Sequence, residues 1–137
     1  MLYGPGSIGL CWTGRVDRDH FEFLEESKER YGMAEVFEVF VTGRFAAAHS
    51  LRGHPGPCAR AHGHNWEVEL VVRCSRLDDC GLGVDFADLQ QALQEVLGLL
   101  DHTDLNQLTA FRNDNPSAEN IARYLFQELS PRLDSES

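Results

Sequence analysis

The stretch His62-Gly-His-Asn-Trp-Glu-Val-Glu-Leu-Val-Val-Arg73 alternates apolar and polar side chains from its centre onward. A period of two predicts a β-strand, because successive side chains of a strand point to opposite faces of the sheet. The predicted apolar face carries Trp66, Val68, Leu70 and Val72, and the polar face carries Glu67 and Glu69. The same parity places His62 and His64 side by side at the end of the apolar face.

A third histidine stands close by in the sequence. His49 closes the segment Phe45-Ala-Ala-Ala-His49, which follows a predicted strand over Val36–Thr42. Three imidazoles leave one position of a tetrahedral zinc ion open, as in catalytic zinc sites. An isolated His-x-His pair is more often an ordinary loop or core feature. The third histidine and the nearby thiol of Cys58 favour a metal site here.

The second half of the chain predicts two amphipathic helices. One begins near Ala87, and the other begins after Pro116, with Ser117 as a candidate N-cap. Apolar residues at helical spacing mark the buried stripes: Leu89, Leu93, Val96, Leu97 and Leu100 in the first helix, and Ile121, Ala122, Leu125, Phe126 and Leu129 in the second. The coarse pattern is therefore β-β-α-α.

Four further blocks accompany the segment that ends at His49, and together they are more specific than any one alone. They read Cys58-Ala-Arg-Ala-His62-Gly-His64-Asn-Trp, Gly83-Val-Asp-Phe86, Leu100-Asp-His-Thr-Asp-Leu-Asn106 and Asn115-Pro-Ser-Ala-Glu119-Asn. In this order, over about residues 36–130, the chain resembles the 6-pyruvoyl-tetrahydropterin synthase superfamily. Three residues separate Cys58 from the His-Gly-His, as in the bacterial 6-carboxy-tetrahydropterin synthases of queuosine biosynthesis. The pyruvoyl-forming enzymes usually have five.

The resemblance implies an α+β T-fold (tunnelling fold) subunit, in which an antiparallel sheet carries two helices on one face. It also implies a homo-oligomer, a hexamer in the family, and a Zn²⁺ cofactor on His49, His62 and His64. The implied reaction converts 7,8-dihydroneopterin triphosphate to 6-carboxy-tetrahydropterin, acetaldehyde and triphosphate.

The resemblance also assigns roles to other side chains. Cys58 is the candidate general base, and His102 with its neighbour Asp101 is the second proton-transfer group. A cap on the preceding helix is the other interpretation of His102. Ser117 and Glu119 match positions near the pterin, although both also suit the start of a helix.

Both ends depart from the family pattern. Residues 1–32 have no match and are interpreted either as an overcalled start or as an appendage with a docking helix at Phe21, Phe23 and Leu24. The family-like domain then covers 33–137. The family's last two strands, which carry a pterin-anchoring glutamate, have no counterpart, and Glu136 does not lie in the matching motif. An exposed sheet edge is the expected consequence.

Composition limits the possible partners. The formal net charge of −10 makes a nucleic-acid backbone an unsuitable partner. No long apolar run or signal-peptide pattern is present, so we expect a cytoplasmic protein without a membrane partner. The triphosphate requires local positive charge, and Arg44, Arg52 and Arg60 flank the histidines, although each could equally be a solvated surface residue.

Three other functions stay open at this stage. The chain could have 6-pyruvoyl-tetrahydropterin synthase activity, or it could be a truncated relative that binds zinc without turnover. A cupin-type metalloprotein is more remote. Gly56, His62, His64 and Glu69 imitate its first motif, but the predicted helix over 87–100 does not suit a double-sheet jelly roll.

Overall fold

A computed structural model describes residues 7–13 and 36–134 of the 137-residue chain. The elements in chain order are β1 (Ser7–Thr13), β2 (Phe37–His49), β3 (His62–Cys74), α1 (Phe86–Gly98), β4 (Thr103–Asp104) and α2 (Ala118–Asp134). Short 3-10 turns lie at Pro57–Ala59, Leu105–Gln107 and Thr109–Phe111.

The four strands form one sheet in the order β1-β3-β2-β4. The central pair β2 and β3 is antiparallel over its whole length, from Phe37 opposite Cys74 to His49 opposite His62. Both outer strands are parallel to their neighbours. The expected α+β fold with two helices is therefore confirmed, but the sheet is mixed rather than purely antiparallel. Parallel pairing is possible because long connections, not hairpins, lead to the outer strands.

Strand β2 is longer than the sequence pattern predicts. The predicted strand ends at Thr42, because Gly43 and the alanines 46–48 have weak strand propensity. In the structure β3 pairs with β2 as far as His49, and this pairing overrides the local preference. Gly43 also lets α1 approach closely, since a Cβ atom there would lie 2.5 Å from Cδ1 of Leu97.

The core lies between the sheet and the two helices. The predicted alternation of β3 is confirmed, because Trp66, Val68, Leu70 and Val72 are at most 3% exposed. The stripe of α1 is buried as predicted, and Ile121, Leu125 and Leu129 of α2 are buried with it. The prediction for Phe126 is wrong, since its side chain is 43% exposed. It lies about 100° around the helix from Leu125, outside the stripe that faces the sheet.

One edge of the sheet is covered by a segment that has no counterpart in the family pattern. Strand β1 pairs with β3 from Ser7 opposite Glu67 to Thr13 opposite Arg73. Residues 7–13 are thus part of the sheet. At the other edge, within residues 7–13 and 36–134, only Ala47 and Ala48 of β2 pair with β4.

The two helices exclude a jelly roll. Helices α1 and α2 stand where a jelly roll would have strands, so the cupin alternative is wrong. Among the residues described, no helix has both the length and the apolar character needed to cross a membrane. The docking helix proposed at Phe21, Phe23 and Leu24 and the residue Glu136 lie outside the described residues.

Candidate metal centre

The antiparallel register of β2 and β3 brings three histidines together. His49 lies directly opposite His62, and His64 is two residues further along β3 on the same face. One ring nitrogen from each histidine falls within a group whose members are all within 4.8 Å of one another. Three nitrogens at about 2.1 Å from a tetrahedral zinc would be about 3.4 Å apart. Small side-chain rotations are therefore sufficient to bring the three onto one metal ion.

Backbone carbonyl groups fix the orientation of two of these rings. Nδ1 of His49 is 2.7 Å from the carbonyl oxygen of Pro116, and Nδ1 of His62 is 2.7 Å from that of Arg60. A carbonyl oxygen can only accept, so Nδ1 must carry the hydrogen in both rings. In the neutral imidazole this leaves the lone pair on Nε2, the atom that a metal ion would bind.

His49 is the deeply placed member of the group. Its side chain is buried, at 5% exposure, and its Nε2 atom has no hydrogen-bond partner. Burial lowers the pKa of His49, while the Pro116 carbonyl acts in the opposite direction and the two neighbouring histidines lower it further. An unsatisfied buried polar atom costs about 1–3 kcal/mol, and a metal ion at Nε2 would remove that cost. The donor set therefore fits a metal ion.

Trp66 forms a wall beside the cluster. Its ring centroid is 5.2 Å from those of both His49 and His64, and the ring of Phe45 stacks on it from the next strand. The indole nitrogen of Trp66 is also buried without a partner. The metal centre thus has an apolar inner side, which restricts the ways in which the imidazoles can turn.

Asp101 and His102 form a hydrogen-bonded pair on the edge of β2. An oxygen of Asp101 accepts from the Ala46 N–H at 2.8 Å, and the His102 N–H donates to the Ala46 carbonyl at 2.6 Å. The other carboxylate oxygen is 2.8 Å from Nδ1 of His102. The Ala46 N–H lowers the pKa of Asp101, and His102 lowers it further. The backbone N–H of His102 thus binds strand β2 and not α1.

The backbone of His102 adopts a conformation that is costly for this residue type. Its φ angle is +55°, and it is the one residue other than glycine with a positive φ in the part of the chain that the structure describes. The left-handed region costs roughly 1–2 kcal/mol for a residue with a side chain. The hydrogen bonds to Ala46 hold this conformation and leave the His102 side chain 84% exposed.

Cys58 lies in the loop between β2 and β3, within the 3-10 turn Pro57–Ala59. Its side chain is half-buried, and its carbonyl accepts from the Leu51 N–H at 2.8 Å. Neither Cys58 nor the Asp101–His102 pair belongs to the convergent histidine group. The backbone of Cys58 is hydrogen-bonded to Leu51, which follows His49 in the chain. The Asp101–His102 pair is instead hydrogen-bonded to Ala46, about 10 Å before His49 along β2.

The arginines suggested for the substrate have different environments. Arg44 forms an ion pair of 2.7 Å with Glu67, and the alternation of the strands places both side chains on the face of the sheet opposite His49. The guanidinium of Arg52 donates to the carbonyls of Phe111 and Asp114. Arg60 is exposed, and its carbonyl accepts from His62.

The beginning of α2 carries the two other predicted substrate residues. The Ser117 hydroxyl accepts from the Asn120 N–H at 3.3 Å, which confirms its prediction as a helix cap. Glu119 is exposed in the first turn. An open cavity of about 660 Å³ lies beside this helix start, lined by residues 51–55, residues 113–115, Ser117 and Asn120. None of the three clustered histidines lines it.

Several groups that hold the site were not assigned a role from the sequence. They are the Pro116 carbonyl, the backbone of Ala46, and the side chains of Asn106 and Asn115. They contact residues 55 to 67 positions away in the sequence, and no periodicity relates such positions. Asn106, Asn115 and Pro116 do lie within the last two blocks that resemble the family pattern.

Comparisons with known proteins agree with this geometry. The family model described as 6-pyruvoyl tetrahydropterin synthase matches residues 38–137. A protein of Archaeoglobus fulgidus with the provisional name 6-carboxy-5,6,7,8-tetrahydropterin synthase is 35% identical over 100 residues, which cover 73% of this chain and 82% of that protein. The 6-carboxy-5,6,7,8-tetrahydropterin synthase of Bacillus subtilis is 33% identical over 104 residues, covering 72% and 69%.

A solved structure supports the same assignment. The 6-pyruvoyl tetrahydropterin synthase of Caenorhabditis elegans superposes with a TM-score of 0.66 at 25% identity, covering 72% of this chain and 80% of that one. The expected T-fold is thereby confirmed. This chain belongs to the 6-pyruvoyl tetrahydropterin synthase family of pterin enzymes.

Proposed function

We propose that this protein is a zinc-dependent 6-carboxy-tetrahydropterin synthase. It would convert 7,8-dihydroneopterin triphosphate to 6-carboxy-tetrahydropterin, acetaldehyde and triphosphate, in the synthesis of 7-deazaguanines such as queuosine. The observation that carries the proposal is the histidine cluster, in which His49 presents a buried Nε2 atom without a partner toward His62 and His64.

The donor set favours zinc over harder cations. Three neutral imidazoles suit zinc, whereas magnesium and calcium prefer oxygen ligands. A zinc ion held by three histidines supplies Lewis acidity, which makes the hydroxyl groups of a bound substrate more acidic. The carbonyls of Pro116 and Arg60 would keep the ligand nitrogens of His49 and His62 in the correct tautomer.

Two groups of this chain would transfer protons. Cys58 lies in the loop between the ligand strands, and its side chain is half-buried. His102 has an ionised partner in Asp101, which orients its ring through Nδ1 and leaves Nε2 to exchange a proton with the substrate. Ser117, Glu119 and Arg60 remain proposals for substrate contacts, with Arg60 and the exposed Arg52 nearest in sequence to the ligands.

The carboxy branch is favoured over the pyruvoyl branch by two observations. Three residues lie between Cys58 and His62, as in the carboxy-forming enzymes, and this spacing sets how far the thiol reaches from the metal ligands. The proteins of Archaeoglobus fulgidus and Bacillus subtilis, at 35% and 33% identity, carry the carboxy name, whereas a Dictyostelium discoideum 6-pyruvoyl tetrahydrobiopterin synthase is 29% identical over 80 residues.

The position of His102 supports a homo-oligomer. The Asp101–His102 pair is exposed at the sheet edge and separated along β2 from the cluster of its own chain. We therefore place it in the reactive site of a neighbouring copy, where an exposed side chain at an edge can reach a second molecule. A closed ring of identical subunits, such as the family hexamer, would complete every site in the same way.

The product distinguishes the proposed activity from its alternatives. Purified protein supplied with zinc is incubated with 7,8-dihydroneopterin triphosphate, and the products are separated and identified by mass. Formation of 6-carboxy-tetrahydropterin with acetaldehyde supports the proposal. Formation of 6-pyruvoyl-tetrahydropterin would assign the other branch, and zinc binding without either product would indicate an inactive relative.

A further inference from the structure

Two asparagine side chains take the place of a neighbouring strand just beyond the metal centre. The carboxamide of Asn106 accepts from the Ser50 N–H at 2.8 Å and donates to the Ser50 carbonyl at 3.0 Å. Asn115 does the same at Arg52, with distances of 2.8 and 2.9 Å. In an antiparallel sheet, paired residues exchange these same two bonds through their backbones. A carboxamide has one acceptor and one donor group in a suitable arrangement.

These contacts extend the order of β2 past its last residue, His49. The N–H groups of Ser50 and Arg52 bind the two asparagines on one side, and the Leu51 N–H binds the Cys58 carbonyl on the other. Alternation of this kind is the pattern of a strand with neighbours on both sides. The segment directly after the buried ligand is therefore fixed on both sides, although it has no regular strand as a partner on the asparagine side.

Asn115 is also directly bonded to the residue that orients His49. The next residue, Pro116, offers the carbonyl that accepts from Nδ1 of His49 at 2.7 Å. The Asn115 carbonyl in turn accepts from the Ser117 N–H and from the Asn120 side chain. The Asn115 carboxamide thus joins the backbone after His49 to the segment whose carbonyl accepts from the His49 ring. The backbone position of His49 and the orientation of its ring therefore both depend on this contact.

We propose that Asn106 and Asn115 are positioning residues of the metal centre, which hold His49 with Nε2 directed at the metal. Asn115 acts on the ring through Pro116, and Asn106 acts on the main chain at Ser50, the residue next to the ligand. The inference rests on the proposed metal site. It assigns to these side chains a function beyond stabilising a loop: they set the affinity and the geometry of metal binding.

The test compares Asn115→Asp with Asn113→Asp and Asn106→Asp with Gln107→Glu. Each replacement within a pair introduces the same charge, but Asn113 and Gln107 make none of the contacts described. Asn-to-Asp keeps the acceptor and removes the donor. Zinc affinity is measured by competition with a chelator, and the visible spectrum of the cobalt-substituted protein reports the ligand geometry. We expect Asn115→Asp and Asn106→Asp to weaken zinc binding by about 10- to 100-fold and to shift the cobalt spectrum, as loss of groups that orient ligands does elsewhere.

A second measurement separates this role from general destabilisation and from the identity of the metal. Nitrogen-15 NMR of the metal-free protein reports the tautomer of each histidine. We expect His49 to be protonated at Nδ1 in the parent and in Asn113→Asp, and to lose this preference in Asn115→Asp. If Asn115→Asp does not fold, the shorter Asn115→Ser is measured in the same way.

The outcomes are distinguishable. Parent protein that binds no zinc contradicts the proposed function, and the tautomer measurement then still tests the contact between Asn115 and His49. Parent protein that binds zinc, with asparagine variants of lowered melting temperature but unchanged affinity, spectrum and tautomer, would overturn the inference and leave a purely structural role.

Discussion

Nδ1 of His49 donates a hydrogen bond of 2.7 Å to the carbonyl oxygen of Pro116, across 67 positions of the sequence. This single contact joins the end of β2 to the start of α2 and decides which nitrogen of a buried ring is free. Because Nδ1 is occupied, Nε2 is the nitrogen of His49 that is left for a metal ion in the cluster with His62 and His64. The fold therefore contributes to the metal centre through a backbone atom that no side-chain motif includes.

The first prediction concerns metal content. Purified protein should hold about one zinc ion per subunit, because three histidines form one site. Replacing His49, His62 or His64 by Ala should lower the affinity steeply. His54→Ala is the matched control, since His54 is exposed and outside the cluster. Elemental analysis measures the content, and a normal zinc content in a His62→Ala His64→Ala double variant would contradict the site.

The second prediction concerns pH and the metal-free protein. Burial lowers the pKa of His49 below its usual value of 6.5, so the unfolded chain takes up a proton more readily than the folded one. The resulting stability is present above about pH 6.5 and is lost progressively as the pH falls below it. Denaturant unfolding of chelator-treated protein from pH 8 to 5 should show this loss, and His49→Gln should reduce it. A parent that became more stable toward pH 5 would disprove the assignment.

The third prediction concerns the thiol. Cys58→Ala should keep its zinc and its melting temperature but lose turnover by about 10²- to 10⁴-fold, the usual range for a general base. Cys74→Ala and Cys80→Ala should be nearly silent, because neither residue lies in the loop between the ligand strands. Steady-state rates and zinc analysis of all three variants check this. Turnover of Cys58→Ala within a few-fold of the parent would leave the base to be sought at His102.

The parts of the site that follow from strand parity could be predicted from the sequence. A period of two places His62 and His64 on one face of β3, and it gives the buried set that includes Trp66 and Val68, as the structure has it. These features depend on residues within one element. The spacing of side chains in a strand decides them without knowledge of the rest of the fold.

Contacts between distant segments could not be predicted in this way. Asp101 binds Ala46, and Asn115 binds Arg52, because α1 and α2 return the chain to the end of β2. No local sequence pattern encodes this return of the chain. Every residue has backbone hydrogen-bonding groups, so the residue types at Ala46 and Arg52 do not indicate that their backbones are bonded to distant side chains. The parallel pairing of β1 with β3 was missed for a related reason, since an edge strand is placed by the sheet it joins.

The fourth prediction uses the backbone of His102. Its φ angle of +55° suits glycine, so His102→Gly should be about 1 kcal/mol more stable than His102→Ala. Both variants should lose turnover, because both lack the imidazole. Denaturant unfolding measures the difference, with glycine and alanine variants at the exposed Thr109 as the control pair, where alanine should be the more stable. Equal stabilities of His102→Gly and His102→Ala would contradict the prediction. They would mean that the backbone at position 102 leaves the positive-φ conformation and gives up its hydrogen bonds to Ala46.

The last prediction asks whether neighbouring subunits share the reactive site. Cys58→Ala and His102→Ala are each expected to be inactive alone, for lack of one proton-transfer group. If His102 serves the neighbouring subunit, mixed oligomers contain sites that combine an intact Cys58 from one chain with an intact His102 from the other. Equal mixing should then restore about one quarter of the parent activity, since each group is present in half of the subunits of a closed ring.

The controls for this experiment must establish that subunits exchange. The two variants are given different affinity tags, unfolded and refolded together, and recovered through both tags in sequence. A His62→Ala His64→Ala variant mixed with Cys58→Ala serves as the matched comparison. The metal ligands and the thiol lie on the same two strands and their connecting loop, so a site needs both intact in one chain. No activity should therefore return in this mixture. Recovery with His102→Ala but not with the histidine-ligand variant is the expected result, because the His102 side chain is exposed at the sheet edge. Mixed oligomers that stay inactive in both combinations would place His102 and Cys58 in the site of a single chain, and the loop that carries Cys58 would then have to move toward the edge of β2.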